Sequence, residues 1–255
     1  MFKSRRRIEI DKIQSSEYSF PYHYLPSVNI FPNFSKSWGF AASYIAAINL
    51  FLEFLNTIKI KDNHKHMDFG CGDGGFVNAV SLLKEFELIN FYGIDFDKDA
   101  IRWASIFSKQ EGNFLAGDVA NLPSSEYDSG SLVEVYEHIP PDKCENFLSS
   151  IANSLKKGAP LFVTVPSIEK RLLSKHYRHF NFEVLSEEFS KYFDIVNVYG
   201  FEKKTLLSIL ISNLSRTSWW YFESKITNKF LINNFSKKFS SLKGCGRIVL
   251  IVLKK

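Results

Sequence analysis

The chain has 255 residues, 45% of them hydrophobic, which is enough for one large α/β domain with its own core and an accessory element. Its three cysteines lack the paired spacing of a metal site or a disulfide framework, so a reducing, cytoplasmic setting is expected. Residues 1–11 contain three arginines but no apolar core, which excludes a secretory signal, and no apolar run approaches the roughly 20 residues of a membrane span.

Residues 1–62 are predicted to form an N-terminal arm followed by a helix. The first part of the arm is rich in aromatic residues and is predicted to be loop-rich because it contains Pro21, Pro26 and Pro32. Apolar residues at helical spacing then predict a helix over residues 38–56. Two interpretations of the arm stay open. It either covers an edge of the core or acts as a lid over an acceptor, lined by Tyr22, His23 and Tyr24.

Residues 63–201 alternate short apolar runs with helical patterns, which predicts βαβ units and a mostly parallel sheet. Strands are expected near residues 65–70, 91–96, 113–117, 130–135, 160–165, 194–200 and 247–253. Helices are expected near residues 75–87, 98–109, 142–156 and 183–192. With the last strand supplied by residues 245–255, the sequence predicts an α/β, Rossmann-like core of seven strands with helices on both faces.

A strand, a glycine-rich turn and a helix start follow one another at residues 67–76. Four glycines in six residues let the backbone turn sharply and approach a ligand closely. The N–H groups at the helix start lie beside this turn, which suits a nucleotide-like cofactor. The spacing of Gly70, Gly72 and Gly75 also fits a dinucleotide fingerprint with Asp95 as the ribose-binding acid.

Asp68 disfavours a dinucleotide and favours a cofactor with a positive charge. A carboxylate two residues before the first glycine repels a pyrophosphate and attracts an ammonium group. The stretch from Asp68 to Gly74, read as Asp-x-Gly-x-Gly-x-Gly, resembles motif I of the class I S-adenosylmethionine-dependent methyltransferases. Later segments resemble the following motifs of that family in order, at residues 92–97, 116–119, 127–139 and 155–166.

The resemblance implies that S-adenosylmethionine is the cofactor. It implies a binding set of Asp68, Gly70, Cys71, Gly72, Asp95, Phe96, Asp118, Val119 and Glu134. In that set Asp95 meets the ribose hydroxyls and Asp118 lies near the adenine amino group. The four acids fall at or near strand ends, so we expect them to converge on one crevice.

A hydroxyl acceptor would need a group that removes or polarises its proton. Three histidines follow the fourth and fifth strands and are the candidate catalytic residues: His138, His176 and His179.

The string Glu134-x-x-Glu137-His138 resembles a magnesium-binding set of ubiquinone-type and small-RNA 2′-O-methyltransferases. This implies Mg²⁺ on Glu134, Glu137 and His138, with His176 or His179 as a further ligand. The alternative is a lone histidine base, with the glutamates serving only as caps and ion pairs. His64 and His66 are expected at the surface or the sheet edge, without a role.

Residues 202–244 are predicted to be a basic, aromatic, helical insertion before the last strand. They carry eight lysines and arginines against two glutamates. The net charge of this segment, +6, therefore exceeds the net charge of the whole chain, +5. Such an insertion is either a helical cap with solvated lysines or a surface for a membrane or an anionic acceptor. No RNA-binding module is recognisable, which disfavours nucleic acid as a partner.

The sequence therefore predicts a methyltransferase. The stretch 176–193 and the Cys-Gly-Arg start of the last strand resemble small-molecule and glycan enzymes of the ubiquinone-biosynthesis type. The implied acceptor is a sugar of a surface polysaccharide or a lipid-linked glycan precursor, with a peripheral contact to the inner membrane face through residues 202–244. The open alternatives are a quinone-like or other small-molecule acceptor, an NAD-dependent oxidoreductase, and a non-catalytic cofactor-binding module.

Overall fold

The computed structural model describes residues 42–108, 113–215 and 224–255, together with Arg7, Glu9, Ile10, Lys12, Ile13, Ser15, Ser16 and Tyr18. The predicted lid residues Tyr22, His23 and Tyr24 lie outside the described residues, as do the aromatic residues at 219–222.

Seven strands form one sheet. They are β1 (His64–Phe69), β2 (Ile89–Asp95), β3 (Phe114–Ala116), β4 (Ser129–Val133), β5 (Pro160–Pro166), β6 (Phe193–Lys203) and β7 (Cys245–Lys254). Their order is β3-β2-β1-β4-β5-β7-β6, and β7 runs antiparallel to both of its neighbours while the other pairs are parallel. The predicted seven-stranded, mostly parallel Rossmann-like sheet is confirmed. Its order reverses between β1 and β4, which is where such sheets bind ligands.

Helices cover both faces of the sheet. They are α1 (Ala42–Leu55), α2 (Gly75–Ser81), α3 (Lys98–Phe107), α4 (Cys144–Ser154), α5 (Phe182–Ser190), α6 (Leu206–Ser215) and α7 (Lys225–Phe235). One core lies between the sheet and α4 and α5, and the other lies beneath α1, α2 and α3. In β5 the side chains alternate between them, with Leu161 and Val163 in the first and Phe162 in the second.

Three elements differ from the sequence prediction. The helix expected over residues 75–87 ends at Ser81 and is followed by a 3-10 turn, Lys84–Phe86, because the chain becomes extended at Leu83 to bury Phe86. The described residues between Arg7 and Ser16 are helical, so the loop-rich arm was wrong there. The last difference is that β6 continues to Lys203, which places Glu202 in the sheet instead of the insertion.

The described part of the insertion forms the helices α6 and α7, so the prediction of a helical insertion is confirmed. Leu231 and Phe235 of α7 pack against Ala42 and Ala46 of α1, so this helix caps the core. None of the described helices combines the length and apolar character that a bilayer crossing requires.

Candidate active site

The glycine turn is tied to the end of the neighbouring strand. The N–H groups of Gly70 and Cys71 both donate to the carbonyl oxygen of Ile94, at 2.8 and 3.0 Å. Gly72 donates to Asp95 Oδ2 at 2.9 Å and, like Gly70, has a positive φ (54° and 77°). A Cβ on Gly70 would lie 2.6 Å from a Val135 methyl group, so the backbone passes where a side chain has no room.

A cavity of about 1170 Å³ opens at this turn and is referred to below as the main cavity. All nine residues expected to bind the cofactor line it, so the acids at the strand ends do converge on one crevice. They are Asp68, Gly70, Cys71, Gly72, Asp95, Phe96, Asp118, Val119 and Glu134. The candidate catalytic and metal residues line the same cavity, namely Glu137, His138, His176 and His179. The cofactor half is the part beside the glycine turn, and the acceptor half is the part beside the histidines.

Two buried carboxyl groups give the cofactor half its electrostatic character. Asp68 is 2% exposed and accepts a 2.6 Å hydrogen bond from Ser131 Oγ. Burial raises the pKa of Asp68 to about 7, against the lowering effect of the Ser131 hydrogen bond. Burial also raises the pKa of Asp95 to about 6, although the N–H groups of Asp97 and Gly72 oppose the shift. A positively charged ligand here would favour ionised carboxylates and gain from them.

The outer wall of the cofactor half is more open. Phe96 is 62% exposed, and Asp118 is exposed with its Oδ1 accepting from the Ala120 N–H at 2.9 Å. Val119 is buried beside them. An aromatic ring, a free carboxylate oxygen and an apolar side chain suit the flat, polar-edged ring of a nucleoside.

The described part of the N-terminal arm covers the glycine turn. The Tyr18 hydroxyl lies 2.6 Å from the position of a Cβ built on Gly72, and the Tyr18 carbonyl accepts from Trp103 Nε1 at 3.0 Å. Arg7 and Tyr44 line the main cavity with it. This part of the arm therefore lines the cofactor half beside the glycine turn.

Three side chains meet in the acceptor half. Glu137, His138 and His176 each place one ligand atom within 4.8 Å of the other two. Glu137 is 1% exposed, and neither of its oxygens has a hydrogen-bond partner. Burial and the nearby Glu134 raise the pKa of Glu137 well above its usual value. A buried carboxyl group without hydrogen bonds is costly, so this geometry suits a cation or a donated proton.

Carbonyl groups set the tautomers of the histidines, because a carbonyl oxygen can only accept. His138 Nδ1 donates to Lys175 O and His179 Nδ1 donates to Lys170 O, both at 3.1 Å. His179 Nε2 is then an acceptor, so His176 Nδ1 donates to it at 2.8 Å. The Nε2 atoms of His138 and His176 therefore carry lone pairs. His179 orients His176, which refines the catalytic role predicted for it.

Glu134 does not belong to this group, which corrects the predicted metal set. Its Oε2 accepts from Arg247 Nε at 2.8 Å and its Oε1 accepts from Thr164 Oγ1 at 3.1 Å. Arg247 also donates to Glu202, whose Oε2 accepts from Lys170 Nζ at 2.8 Å. The carboxylate of Glu134 is thus paired with a buried arginine. The third member of the group is His176, in place of Glu134.

Sequence reasoning missed several polar residues next to the site. His64 and His66 are 3% and 0% exposed in β1, which lies between β2 and β4, so their expected place at the surface or the sheet edge was wrong. Both are hydrogen-bonded to serines of β4. The alternation His64-x-His66-x-Asp68 in a buried strand was a usable signal, because period-two spacing puts these side chains on one face.

Comparisons with known proteins agree with this fold. A family model described as a methyltransferase domain matches residues 40–199. The 24-methylenesterol C-methyltransferase 3 of Arabidopsis thaliana is 28% identical over 117 residues, 43% of this chain and 31% of that protein. The chain therefore spans about a third of the length of this relative.

Solved structures show the same fold. An S-adenosylmethionine-dependent methyltransferase from Archaeoglobus fulgidus has a TM-score of 0.59 at 18% identity, covering 87% of this chain and 98% of that one. A phosphoethanolamine N-methyltransferase 2 from Haemonchus contortus, in complex with phosphomonomethylethanolamine and S-adenosylhomocysteine, has a TM-score of 0.57 at 18% identity. That match covers 87% of this chain and 59% of the other.

The sheet order, the glycine turn and the buried acids define a class I S-adenosylmethionine-dependent methyltransferase. The family match covers more than half of the chain, so the chain belongs to the methyltransferase-domain family. S-adenosylmethionine is its cofactor, and the nicotinamide alternative is set aside.

Proposed function

We propose that this methyltransferase transfers the methyl group to a hydroxyl of a sugar in a surface polysaccharide or lipid-linked glycan precursor. The observation that carries the proposal is the convergence of Glu137 with the lone pairs of His138 and His176 on one side of the main cavity. A hydroxyl is a weak acid and needs its proton removed or polarised during attack, whereas a neutral amine brings its own lone pair. This half of the cavity therefore suits an oxygen acceptor.

The cofactor half would hold the methyl donor opposite those groups. We assign Asp68 to the ammonium group, Asp95 to the ribose hydroxyls and Asp118 to the adenine edge, because these carboxyl groups line the cofactor half in the order of β1, β2 and β3. Methyl transfer is an in-line displacement, so the chain's task is to hold the acceptor oxygen at near-attack distance from the sulfonium methyl group and to exclude water.

The wall of the main cavity combines charge with apolar surface. Lys143, Arg171 and Lys175 line it, together with Ile139, Phe147 and Leu173. Cationic side chains around an apolar wall suit a sugar that carries a phosphate or a carboxylate. A neutral phenol would gain less from the three cations than an anionic sugar, which supports the glycan over the quinone-like alternative.

A methyl-transfer screen tests the acceptor class. With radiolabelled S-adenosylmethionine, we expect label in nucleotide-linked or lipid-linked sugars that carry an anionic group, and little label in uncharged phenols. The double variant Lys143→Gln with Arg171→Gln should raise KM for an anionic acceptor roughly tenfold while leaving S-adenosylhomocysteine affinity unchanged, since two charge-assisted contacts are lost. Label confined to phenols or to RNA ends would overturn the proposed acceptor.

We further propose that Glu137, His138 and His176 hold a divalent metal ion. One unpartnered carboxyl group and two imidazole lone pairs are a complete facial set of protein ligands. The carbonyl oxygen of Lys175 orients the His138 ring and His179 Nε2 orients the His176 ring, as outer hydrogen-bond partners do for ligand imidazoles in metal sites. Imidazole favours Mn²⁺, Fe²⁺, Co²⁺ or Zn²⁺ over the Mg²⁺ expected from the sequence. When bound, such an ion would lower the pKa of the acceptor hydroxyl.

A membrane contact through the insertion fits a lipid-linked acceptor, and we propose it on the surface of α6. Its apolar side chains Leu206, Leu207, Leu210 and Leu214 are 89%, 53%, 54% and 59% exposed. Exposed lysines lie shortly before this helix and on the next one, namely Lys204, Lys225 and Lys229. An exposed apolar face on a segment with exposed lysines suits an anionic lipid surface.

Vesicle sedimentation tests this contact. The protein should pellet with vesicles containing phosphatidylglycerol and release at high salt, and it should stay in solution with pure phosphatidylcholine vesicles. Replacing Leu206 and Leu210 by Asp should weaken binding roughly tenfold or more, because two exposed leucines lose their apolar burial in the lipid. Ile106→Asp on α3, where Ile106 is 66% exposed, is the matched control and should bind normally. Equal binding of the double variant and the parent protein would refute the contact.

A further inference from the structure

Five buried polar side chains form a row across the two central strands. His64, His66 and Asp68 lie on one face of β1, and Ser129 and Ser131 lie beside them on β4, where His66 pairs with Ser129 and Asp68 pairs with Ser131. None is more than 3% exposed. The row lies on the helix α1 side of the sheet, where the rings of Phe51 and Phe91 lie 5.2 and 5.5 Å from the His66 ring.

Hydrogen bonds connect the row from end to end. Ser129 Oγ lies 2.8 Å from His64 Nε2 and 2.8 Å from His66 Nδ1. Ser131 Oγ lies 2.9 Å from His66 Nε2 and 2.6 Å from Asp68 Oδ1. The row thus ends on the carboxyl group that lines the cofactor half of the main cavity.

The hydrogen bonds can run in only one direction when Asp68 is ionised. An ionised carboxylate only accepts, so Ser131 donates to it and must accept from His66 Nε2–H. His66 Nδ1 is then an acceptor and receives the Ser129 proton, so Ser129 in turn accepts from His64 Nε2–H. His64 Nδ1 is left as an acceptor, and it is indeed buried without a hydrogen-bond partner. This atom has no partner in either direction, so the direction follows from the ionised state of Asp68.

Neutral imidazoles are needed for this arrangement, and burial supplies them. Burial lowers the pKa of His66 to about 3, with a contribution from His64, and burial also lowers the pKa of His64. The titratable side chains that line the cofactor half with Asp68 are Asp95, Asp118, Cys71, Tyr44, Tyr18 and Arg7. Of these, Asp95 opposes ionisation of Asp68, as burial does. The hydrogen bond from Ser131 has the opposite effect and lowers the pKa of Asp68.

We propose that His66 and Ser131 are positioning residues for the cofactor. The chain of hydrogen bonds that passes from Ser129 through His66 and Ser131 holds Asp68 as an oriented anion for the cofactor's ammonium group. Successive hydrogen bonds polarise one another in an apolar interior, so each donor strengthens the next. The carboxyl group is then aimed, and its ionised form is favoured, before the cofactor arrives. This inference rests on the cofactor alone, so it does not depend on which acceptor the enzyme uses.

Calorimetric binding of S-adenosylhomocysteine between pH 5.5 and 8.5 tests the proposal. The parent protein should bind more tightly as the pH rises through about 7, where Asp68 ionises. Ser131→Ala should weaken binding roughly tenfold at pH 7 and move the midpoint of the pH dependence upward by about one unit, because a hydrogen bond to the charged form is lost. His66→Phe should do the same to a smaller extent, and His66→Gln should restore binding, since its amide N–H can replace Nε2–H.

Two further measurements separate positioning from a structural effect. Ser154→Ala removes a serine that is 1% exposed and donates to Ile151 O at 2.9 Å, away from the row, and it should leave the pH profile unchanged. In an Asp68→Asn background, Ser131→Ala should change binding less than about twofold, because the group it acts through is gone. An unshifted pH midpoint in Ser131→Ala, or the same loss with and without Asp68, would overturn the proposal. Thermal unfolding of each variant confirms that a folded protein is measured.

Discussion

Replacing Glu137 by Gln should abolish metal uptake and lower kcat by roughly 10²–10³-fold while leaving S-adenosylhomocysteine affinity within about twofold. The amide keeps the shape of the side chain but loses the anionic oxygen that faces His138 and His176. Metal uptake is measured by titration with Mn²⁺ or Co²⁺, and turnover by methyl transfer to the best acceptor. Cofactor binding should survive because Glu137 lies in the acceptor half.

Glu134→Gln is the matched control for this experiment. Because Glu134 is bound to Arg247 and Thr164, its amide variant should still take up the metal ion. If Glu134→Gln abolishes metal uptake and Glu137→Gln does not, the ligand set drawn from the sequence is correct and the one drawn from the structure is wrong. Full turnover after exhaustive chelation would remove the metal ion from the mechanism and leave a histidine base.

Replacing Arg247 by Met should lower the free energy of unfolding by about 3–5 kcal/mol. Arg247 is 4% exposed and lies between the carboxylates of Glu134 and Glu202, which both have a positive φ, 55° and 58°. Methionine fills part of the space but leaves two carboxylates without their shared cation. Urea unfolding followed by circular dichroism measures the loss.

The pH dependence of this loss has a definite sign. Burial alone raises the pKa of Glu202, but Arg247 and Lys170 outweigh it and hold the pKa below its usual value. In the parent protein this contribution to stability is present at neutral pH and is lost as the pH falls through that lowered pKa. Without Arg247 the pKa of Glu202 should instead rise, so the variant should gain stability as the pH falls from 7 to 5. Adding Glu202→Gln to Arg247→Met should recover part of the loss. A loss below about 1 kcal/mol, or no recovery, would show that the cluster does not stabilise the fold.

The sequence was most informative where backbone geometry restricts the residue type. Gly70 and Gly72 mark the turn because a Cβ has no room there, and the acids follow strands whose ends share one edge. These features depend on local spacing, so the turn and the crevice at the strand ends could be predicted, and the resemblance to a methyltransferase motif indicated the class of protein. The number of strands and their positions followed from hydrophobic periodicity for the same reason.

Partner choice over long sequence distances could not be predicted. Glu134 pairs with a residue 113 positions later, and nothing in Glu-x-x-Glu-His indicates that its first carboxylate belongs to Arg247. His66 was assigned to the surface because a histidine in a strand is ambiguous until its neighbour across the sheet is known. That neighbour, Ser129, comes from a strand 63 residues away. Local patterns identify the ends of strands, and only the assembled sheet identifies what they touch.

The position of β7 has a consequence for how the protein matures in the cell. This strand is the last of the sheet in the chain, yet it lies between β5 and β6 and brings Arg247 to Glu134 and Glu202. During translation, β6 has no sheet neighbour and the two glutamates have no arginine until β7 leaves the ribosome. A nascent chain that stalls before residue 245 would therefore present an open strand edge and two glutamates without their arginine, a form suited to capture by chaperones or removal by proteases.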